Sequence, residues 1–289
     1  VPFSLIGILS ALTSAAVWGS GDFCGGLASR RGNQHQVLVI VTLAGVLLLA
    51  LLTLLLREAL PTGWALVQAA GAGLAGGLGI VFLYRGLSID RAATVAPVAA
   101  VITGTVPVLY GALSLGPPGG WQLAGFALAL AGIYLVSQSS EADAGGPSGG
   151  SRQGLLMAVL AGLGFGGFFV LLPASAPGQV FAPLLIARLA SFGLALLLLA
   201  GRRAPLPNPL GHPLALAAGV LDAGGNIFYA LAKQYTRSDV AAVLASFYPA
   251  ATIALAAIVL KERVGRRQRV GAVLCLAAVV LIAVPTQGA

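Results

Sequence analysis

The sequence predicts an all-α polytopic membrane protein: ten membrane-crossing helices built as two inverted five-helix repeats. Composition is the first ground. Hydrophobic residues make up 58% of the 289-residue chain and charged residues 8%, where soluble domains carry roughly 25% charge. Segmentation is the second. A helix needs about 20 mostly apolar residues to cross the hydrocarbon, and ten such stretches follow one another with short connections. Duplication is the third. Leu83-Tyr84-Arg85-Gly86-Leu87, Pro107 and Trp121-Gln122-Leu123-Ala124-Gly125 return as Phe228-Tyr229-Ala230-Leu231, Pro249 and Arg267-Gln268-Arg269-Val270-Gly271, at offsets of 144, 142 and 146 residues. An odd number of crossings per copy puts the second copy upside down in the bilayer, a design that secondary carriers build around a midplane site.

The expected spans are 4–28, 37–56, 63–84, 93–114, 121–138, 153–173, 180–200, 213–233, 239–260 and 267–285. Their apolar residues favour no face, as suits helices surrounded by lipid and other helices. The runs are too long and too little alternating for barrel strands, and open sheet edges are excluded from hydrocarbon. Residues 1–138 form the first repeat, 139–152 a linker and 153–289 the second repeat. The linker carries Glu141, Asp143 and a Gly/Pro/Ser-rich run, a flexible and solvated composition.

Several function classes lose ground here. The net charge of +8 comes from basic residues at loops and span ends, where topogenic sorting places them, so it is no sign of nucleic acid. Cys24 and Cys275 make no disulfide framework. His35 and His212 are loop residues without metal spacing, and no cofactor is expected. The first apolar stretch has no basic leader and no small-residue cleavage site after it, so it reads as a retained helix. A membrane-embedded enzyme would need clustered nucleophiles, acid–base pairs or metal ligands, and the acidic residues are dispersed.

Glycine pairs at small-xxx-small spacing, Gly21/Gly25, Gly73/Gly77 and Gly162/Gly166, let helices approach closely. They either serve packing alone or mark spans 1, 3, 6 and 8 as cavity walls. Pro107 and Pro249 predict a matched pair of helix bends.

Intramembrane charge is costly, about 2.5–3.5 kcal/mol at the helix centre on insertion scales, and marks function. Arg188 falls mid-span 7 and Asp222 mid-span 8, at similar depth. They form either a structural ion pair or a solute-holding pair in a polar cavity. Their repeat partners, Thr42 and about Leu78, are uncharged. Asn226 and Tyr229 follow Asp222 on one helical stripe, as cavity wall or as interhelical glue. Tyr84, the repeat partner of Tyr229, would complete the opposite wall. Trp18 would stack on a solute or anchor the helix at the boundary. Asp222 is the first candidate for proton coupling and Asp22 the second, although Asp22 lies toward the end of span 1, where the interface near Arg30 and Arg31 is its expected place.

Trp18-Gly19, Ala230-Leu231, the small-residue run Val240 to Ala245, Tyr248-Pro249, Leu260-Lys261-Glu262-Arg263, Gln268 and Gly271 stand in the order and spacing of an EamA repeat. The chain therefore resembles the drug/metabolite transporter superfamily, EamA type, over nearly its whole length. The first repeat departs from the pattern: Gly116-Pro117-Pro118 stands where the second has Lys261-Glu262-Arg263. The resemblance implies a cell-membrane carrier of small polar metabolites such as amino acids, often an exporter, working by alternating access. A multidrug or organic-cation exporter is the alternative, and a non-transporting membrane subunit is a third. Ten spans suffice for a complete pathway, so a monomer is expected. The resemblance also implies cytoplasmic termini, whereas the basic residues crowd the loops after spans 1, 3, 5, 7 and 9, which places both termini outside. Both orientations stay open.

Overall fold

The computed structural model describes residues 5–115, 119–137, 151–172, 179–235, 244–245, 247–262 and 264–282. Among these, ten α-helices follow one another: α1 (Leu5–Arg31), α2 (Gln34–Leu55), α3 (Gly63–Ile89), α4 (Ala92–Leu115), α5 (Gly120–Ser137), α6 (Arg152–Leu171), α7 (Phe181–Gly201), α8 (Pro213–Tyr235), α9 (Tyr248–Val259) and α10 (Arg266–Ile282). A short 3₁₀ turn, Pro209–Gly211, precedes α8. No strand occurs among the described residues. Five of the helices, α2, α3, α6, α7 and α8, are long and apolar enough to cross a membrane by length and composition alone. The described parts of α4, α5, α9 and α10 are shorter apolar helices. α1 has the length but carries serines, glycines, Asp22 and a terminal Arg30-Arg31, so it crosses in the company of its neighbours.

Large apolar side chains point outward along the helices, among them Leu5, Leu9, Leu47, Leu54, Leu130, Leu197 and Ile258. In water this surface would be untenable, and in lipid it is the solvated face. Trp64 and Trp121 are exposed at the starts of α3 and α5, both at the end of the bundle where α1 begins. Aromatic residues favour that interfacial depth. That end is the proximal end below, and the end where α1 finishes is the distal end.

The repeat is visible in packing. Advancing each helix by five turns the α1–α8 contact into α6–α3, α3–α7 into α8–α2, and α4–α6 into α9–α1, and all six contacts occur. The pairs α2–α7, α5–α10 and α4–α9 map onto themselves and so lie on the two-fold axis. Helix ends repeat as well. α2 and α7 each close in a Schellman motif, with Glu58 N–H reaching Thr53 O at 3.1 Å and Ala204 N–H reaching Leu199 O at 3.3 Å. Each turn places an arginine in the left-handed region, Arg57 at φ 53° and Arg203 at φ 51°.

Glycine pairs set the helix approach. A Cβ on Gly73 would collide with the backbone of Ala187, and one on Gly162 would stand 2.7 Å from Ala99 O. Gly21 faces Asp222 and Ala218 across the α1–α8 contact, and Gly166 faces Val106. These glycines serve close packing; the cavity walls are made by their neighbours. Pro249 occupies the first turn of α9, after a turn at Phe247, where a missing N–H leaves nothing unpaired. The helix begins there, where the sequence predicts a bend within one continuous span. The side chain of its partner Pro107 lies outside the described residues.

The largest apolar cluster joins Phe23, Leu27, Val37 to Val41, Leu83, Leu87, Val95, Val98 and Leu199. All belong to the distal halves of their helices. Proximally, a smaller cluster gathers Leu49, Leu184, Leu185 and Ala223.

Candidate functional site

Between the repeats lies a cavity of about 750 Å³ of atom-free space, its open mouth included. The walls predicted from α1, α3, α6 and α8 are all present, and α7 supplies Arg188; α2, α4 and α9 contribute Leu49, Thr103 and Tyr248 in addition.

The charges come from three helices. Arg188 Nη2 on α7 pairs with Asp222 Oδ2 on α8, their side chains 9% and 18% exposed. Both line the cavity. The Arg188 stem can lie along α2 because position 45 is glycine: a Cβ there would stand 3.1 Å from Arg188 Cδ and Nε. Thr42, the repeat partner of Arg188, is sealed in the core and spends its hydroxyl on Leu38 O at 2.8 Å. Asp22 also lines the cavity. This corrects its expected place at the interface. α1 continues nine residues past Asp22 to Arg31, about 14 Å at 1.5 Å per residue, so the carboxylate sits deep. Arg30, its expected neighbour, is engaged elsewhere, on Leu87 O, Asp90 O and Glu262. Asp22 has no hydrogen-bond or ion-pair partner among the described residues.

The apolar wall is aromatic. Trp18, Phe165, Phe168, Phe169 and Tyr248 line it. Phe168 meets Phe169 edge-on at 5.5 Å, Phe169 meets Tyr229 edge-on at 6.0 Å, and Tyr229 lies tilted against Trp18 at 5.7 Å. Such pairs add about 0.5–1.5 kcal/mol beyond area burial. Tyr229 itself is not a lining residue; it stands behind Trp18 and Phe169 and fixes them. Trp18 is seated on Gly225, whose Cβ would fall within 2.6 Å of the indole Cγ. It therefore faces the interior of the bundle. Asn226 lines the cavity and donates Nδ2–H to Asp222 O at 2.7 Å, one turn back. Tyr84 does not line it: the side chain is 1% exposed, with its ring packed on Gly25 of α1. The opposite wall is made by Gly76 and Ile80 of α3, one turn nearer the proximal end.

Sequence reasoning missed Ser191, Thr103, Tyr248 and the three phenylalanines of α6. Ser191 donates its hydroxyl to Gly73 O at 2.6 Å, which ties α7 to α3 at the cavity edge. It follows Arg188 by three residues, on the same helix face, a spacing that could have flagged it. The phenylalanines gave no signal, because aromatic residues in membrane helices usually face lipid or partners.

The EamA-like transporter family matches residues 5–138 and again 152–284. The chain belongs to that family. It is thus a membrane transporter of the drug/metabolite transporter superfamily, with a small molecule as its cargo. No curated protein matches the chain. Solved structures do: one crystal structure of a protein, 18% identical, covers 95% of this chain and 95% of its own with a TM-score of 0.61. That likeness is one of fold.

Proposed function

We propose that this EamA-family protein is a secondary carrier that moves a small, amine-bearing polar metabolite such as an amino acid by alternating access, in the direction of export. The helices of the two repeats interlock, and their shift against one another about the cavity would expose it to each side in turn. The observation that carries the reading is the set of three charges, Asp22, Arg188 and Asp222, brought by three helices into one aromatic-walled cavity at the repeat interface. A structural ion pair needs only two of them. The third, Asp22, supplies a seat for an ammonium group. Arg188 presents more N–H donors than its pairing with Asp222 uses, and these can take a carboxylate. A zwitterion fits both. Trp18 and the phenylalanines add cation–π attraction and exclude water.

An organic cation is the second reading. The Arg188–Asp222 pair counts against it, because a guanidinium in the cavity repels cations. The pair neutralises itself, however, and Asp22 leaves a second carboxyl group beside an aromatic wall. That observation favours a cationic cargo without a carboxylate.

Proton coupling needs a carboxylate that binds cargo and proton in turn. Asp222 and Asp22 are the two candidates, and the one without a counter-ion meets the requirement more directly. The test is a thermal-shift screen of the purified protein over amino acids, nucleosides, sugars and cationic dyes, followed by transport of the hit in vesicles under a pH gradient. Stabilisation by amino acids supports the first reading and stabilisation by dyes alone supports the second. Sugars or nucleosides as sole hits would overturn both. Asp222→Asn and Asp22→Asn are then compared; pH-driven accumulation that survives a substitution removes that residue from coupling.

A further inference from the structure

We propose that the distal end of the transporter is held shut by a latch across the repeats, Arg30–Glu262 together with Asp90–Ser151, with no equivalent ion pair among the described residues of the proximal end, so the resting state is distally closed. The inference rests on the alternating-access reading above.

Arg30 stands in the last turn of α1 and reaches three places at once. Nε–H donates to Leu87 O at 2.6 Å, Nη2–H donates to Asp90 O at 2.8 Å, and Nη1 pairs with Glu262 Oε1 at 2.9 Å. The second oxygen of Glu262 accepts from Ala92 N–H at 3.3 Å. Asp90 Oδ2 accepts from Ser151 N–H at 2.8 Å and from Ser151 Oγ–H at 2.9 Å. Ser151 in turn caps α6, its Oγ accepting from Gly154 N–H at 2.9 Å. Arg30, Asp90 and Ala92 belong to the first repeat; Ser151 and Glu262 belong to the second half of the chain. The cluster therefore joins α1, the α3–α4 turn, the start of α6 and the α9–α10 turn at one point.

The latch closes over packed ground. A small hollow lined by Phe23, Leu27, Leu87 and Thr252 adjoins Arg30 and Glu262. Phe23 and Leu27 lie between Asp22 and Arg30 along α1, so the hollow stands between the cavity and the distal end. The main apolar cluster occupies the same half of the bundle. The paired side chains of Arg30 and Glu262 are 18% and 8% exposed, so water screens the pair little, and opening must break it.

The two-fold relation between the repeats would place a matching latch proximally. The position of Glu262 maps to Gly116-Pro117-Pro118, and that of Arg30 maps into the run 171–180, which contains no charged residue. Neither ionic partner exists. Ties between the repeats do occur proximally: the Glu58 carboxylate accepts from Val180, Phe181 and Ala182 N–H, and Ser14 Oγ–H donates to Gly225 O at 2.8 Å. They join the α2–α3 turn to α7 and α1 to α8, and neither is an ion pair. Two inverted repeats of equal sequence would give two states of equal energy. Among the described residues the ion pair between the repeats is distal, and the population of the state it closes rises by the corresponding factor.

The test is thiol labelling of the full-length protein in liposomes, with Cys24 and Cys275 replaced by alanine. Leu27→Cys reports on the distal hollow and Phe165→Cys, at a half-buried position, on the cavity wall. A water-soluble maleimide should react slowly at the first and quickly at the second. Adding Glu262→Gln or Arg30→Gln should speed reaction at the first by about tenfold and slow it at the second. The charge swap Arg30→Glu with Glu262→Arg should restore much of the original ratio, which a merely misfolded variant would not do. Equal rates at the two positions in the parent, or an unchanged ratio in both single variants, would overturn the latch. Transport by the same variants separates the two readings: an unchanged ratio with transport intact removes the latch alone, and an unchanged ratio with no transport by the parent removes alternating access as well.

Discussion

Asp22 and Asp222 reach the same cavity from α1 and α8, and among the described residues only Asp222 of the two has a counter-ion. The two carboxylates are therefore not interchangeable. Asp222 holds Arg188 in place, whereas Asp22 has no counter-ion among the described residues. Asp22→Asn removes a half-buried carboxylate and breaks no hydrogen bond or ion pair among the described residues. It should leave the melting temperature unchanged or raised, since an unpaired charge partly withdrawn from water is costly, and weaken binding of amine-bearing solutes by about tenfold or more. Thermal shift with and without solute reads both quantities in one experiment. A drop in stability without loss of binding would assign Asp22 a structural role.

Arg188 and Asp222 make a pair that is worth more when broken than when replaced. Removing one partner of a buried pair costs about 3–5 kcal/mol; the cavity opening reduces that here, because water still reaches Asp222. Arg188→Met should be the more destabilising single change, since it leaves two carboxylates facing each other. The double variant Arg188→Met/Asp222→Leu should recover most of the lost stability. Thermal unfolding in detergent, read as a double-mutant cycle, checks the coupling.

Gly225 supports Trp18. Gly225→Ala improves helix propensity by about 1 kcal/mol, yet its methyl would enter the indole, and overpacking costs typically about 1–3 kcal/mol. The collision should win, because Trp18 is also held by Tyr229 and cannot swing aside freely. The expected result is weaker solute binding together with altered tryptophan emission. Unchanged binding would remove Trp18 from the solute's wall.

Glu58 is a helix cap reached from another part of the chain. Its Oε2 accepts from the N–H groups of Phe181 at 2.7 Å and Ala182 at 2.8 Å, so it meets both the unpaired donors and the positive end of the α7 dipole. Glu58→Gln keeps the shape and loses the charge. A loss of about 1–2 kcal/mol is expected, with solute affinity unchanged, by thermal unfolding and binding on the same sample.

Membrane residence, helix content and the five-plus-five duplication were legible along the chain, because each follows from local chemistry. Runs of apolar residues exclude soluble folds, hydrocarbon forbids unpaired backbone, and recurring Tyr, Pro and Gln-x-x-Gly offsets mark the copy. The Arg188–Asp222 pair was legible too, since two opposite charges at one depth in lipid have few other partners. Rotation of each helix about its own axis was not legible, and that rotation decides what a cavity contains. These helices are apolar all round, so hydropathy names no inner face. Close contacts of Gly21, Gly73 and Gly225 with neighbouring helices fix the rotation, and with it the inward aim of Asp22, the sealing of Tyr84 behind Gly25, and the place of Tyr229 behind Trp18 rather than beside the solute. The joining of Arg30 to Glu262 was equally hidden, because it depends on which helix ends meet once the two repeats are packed.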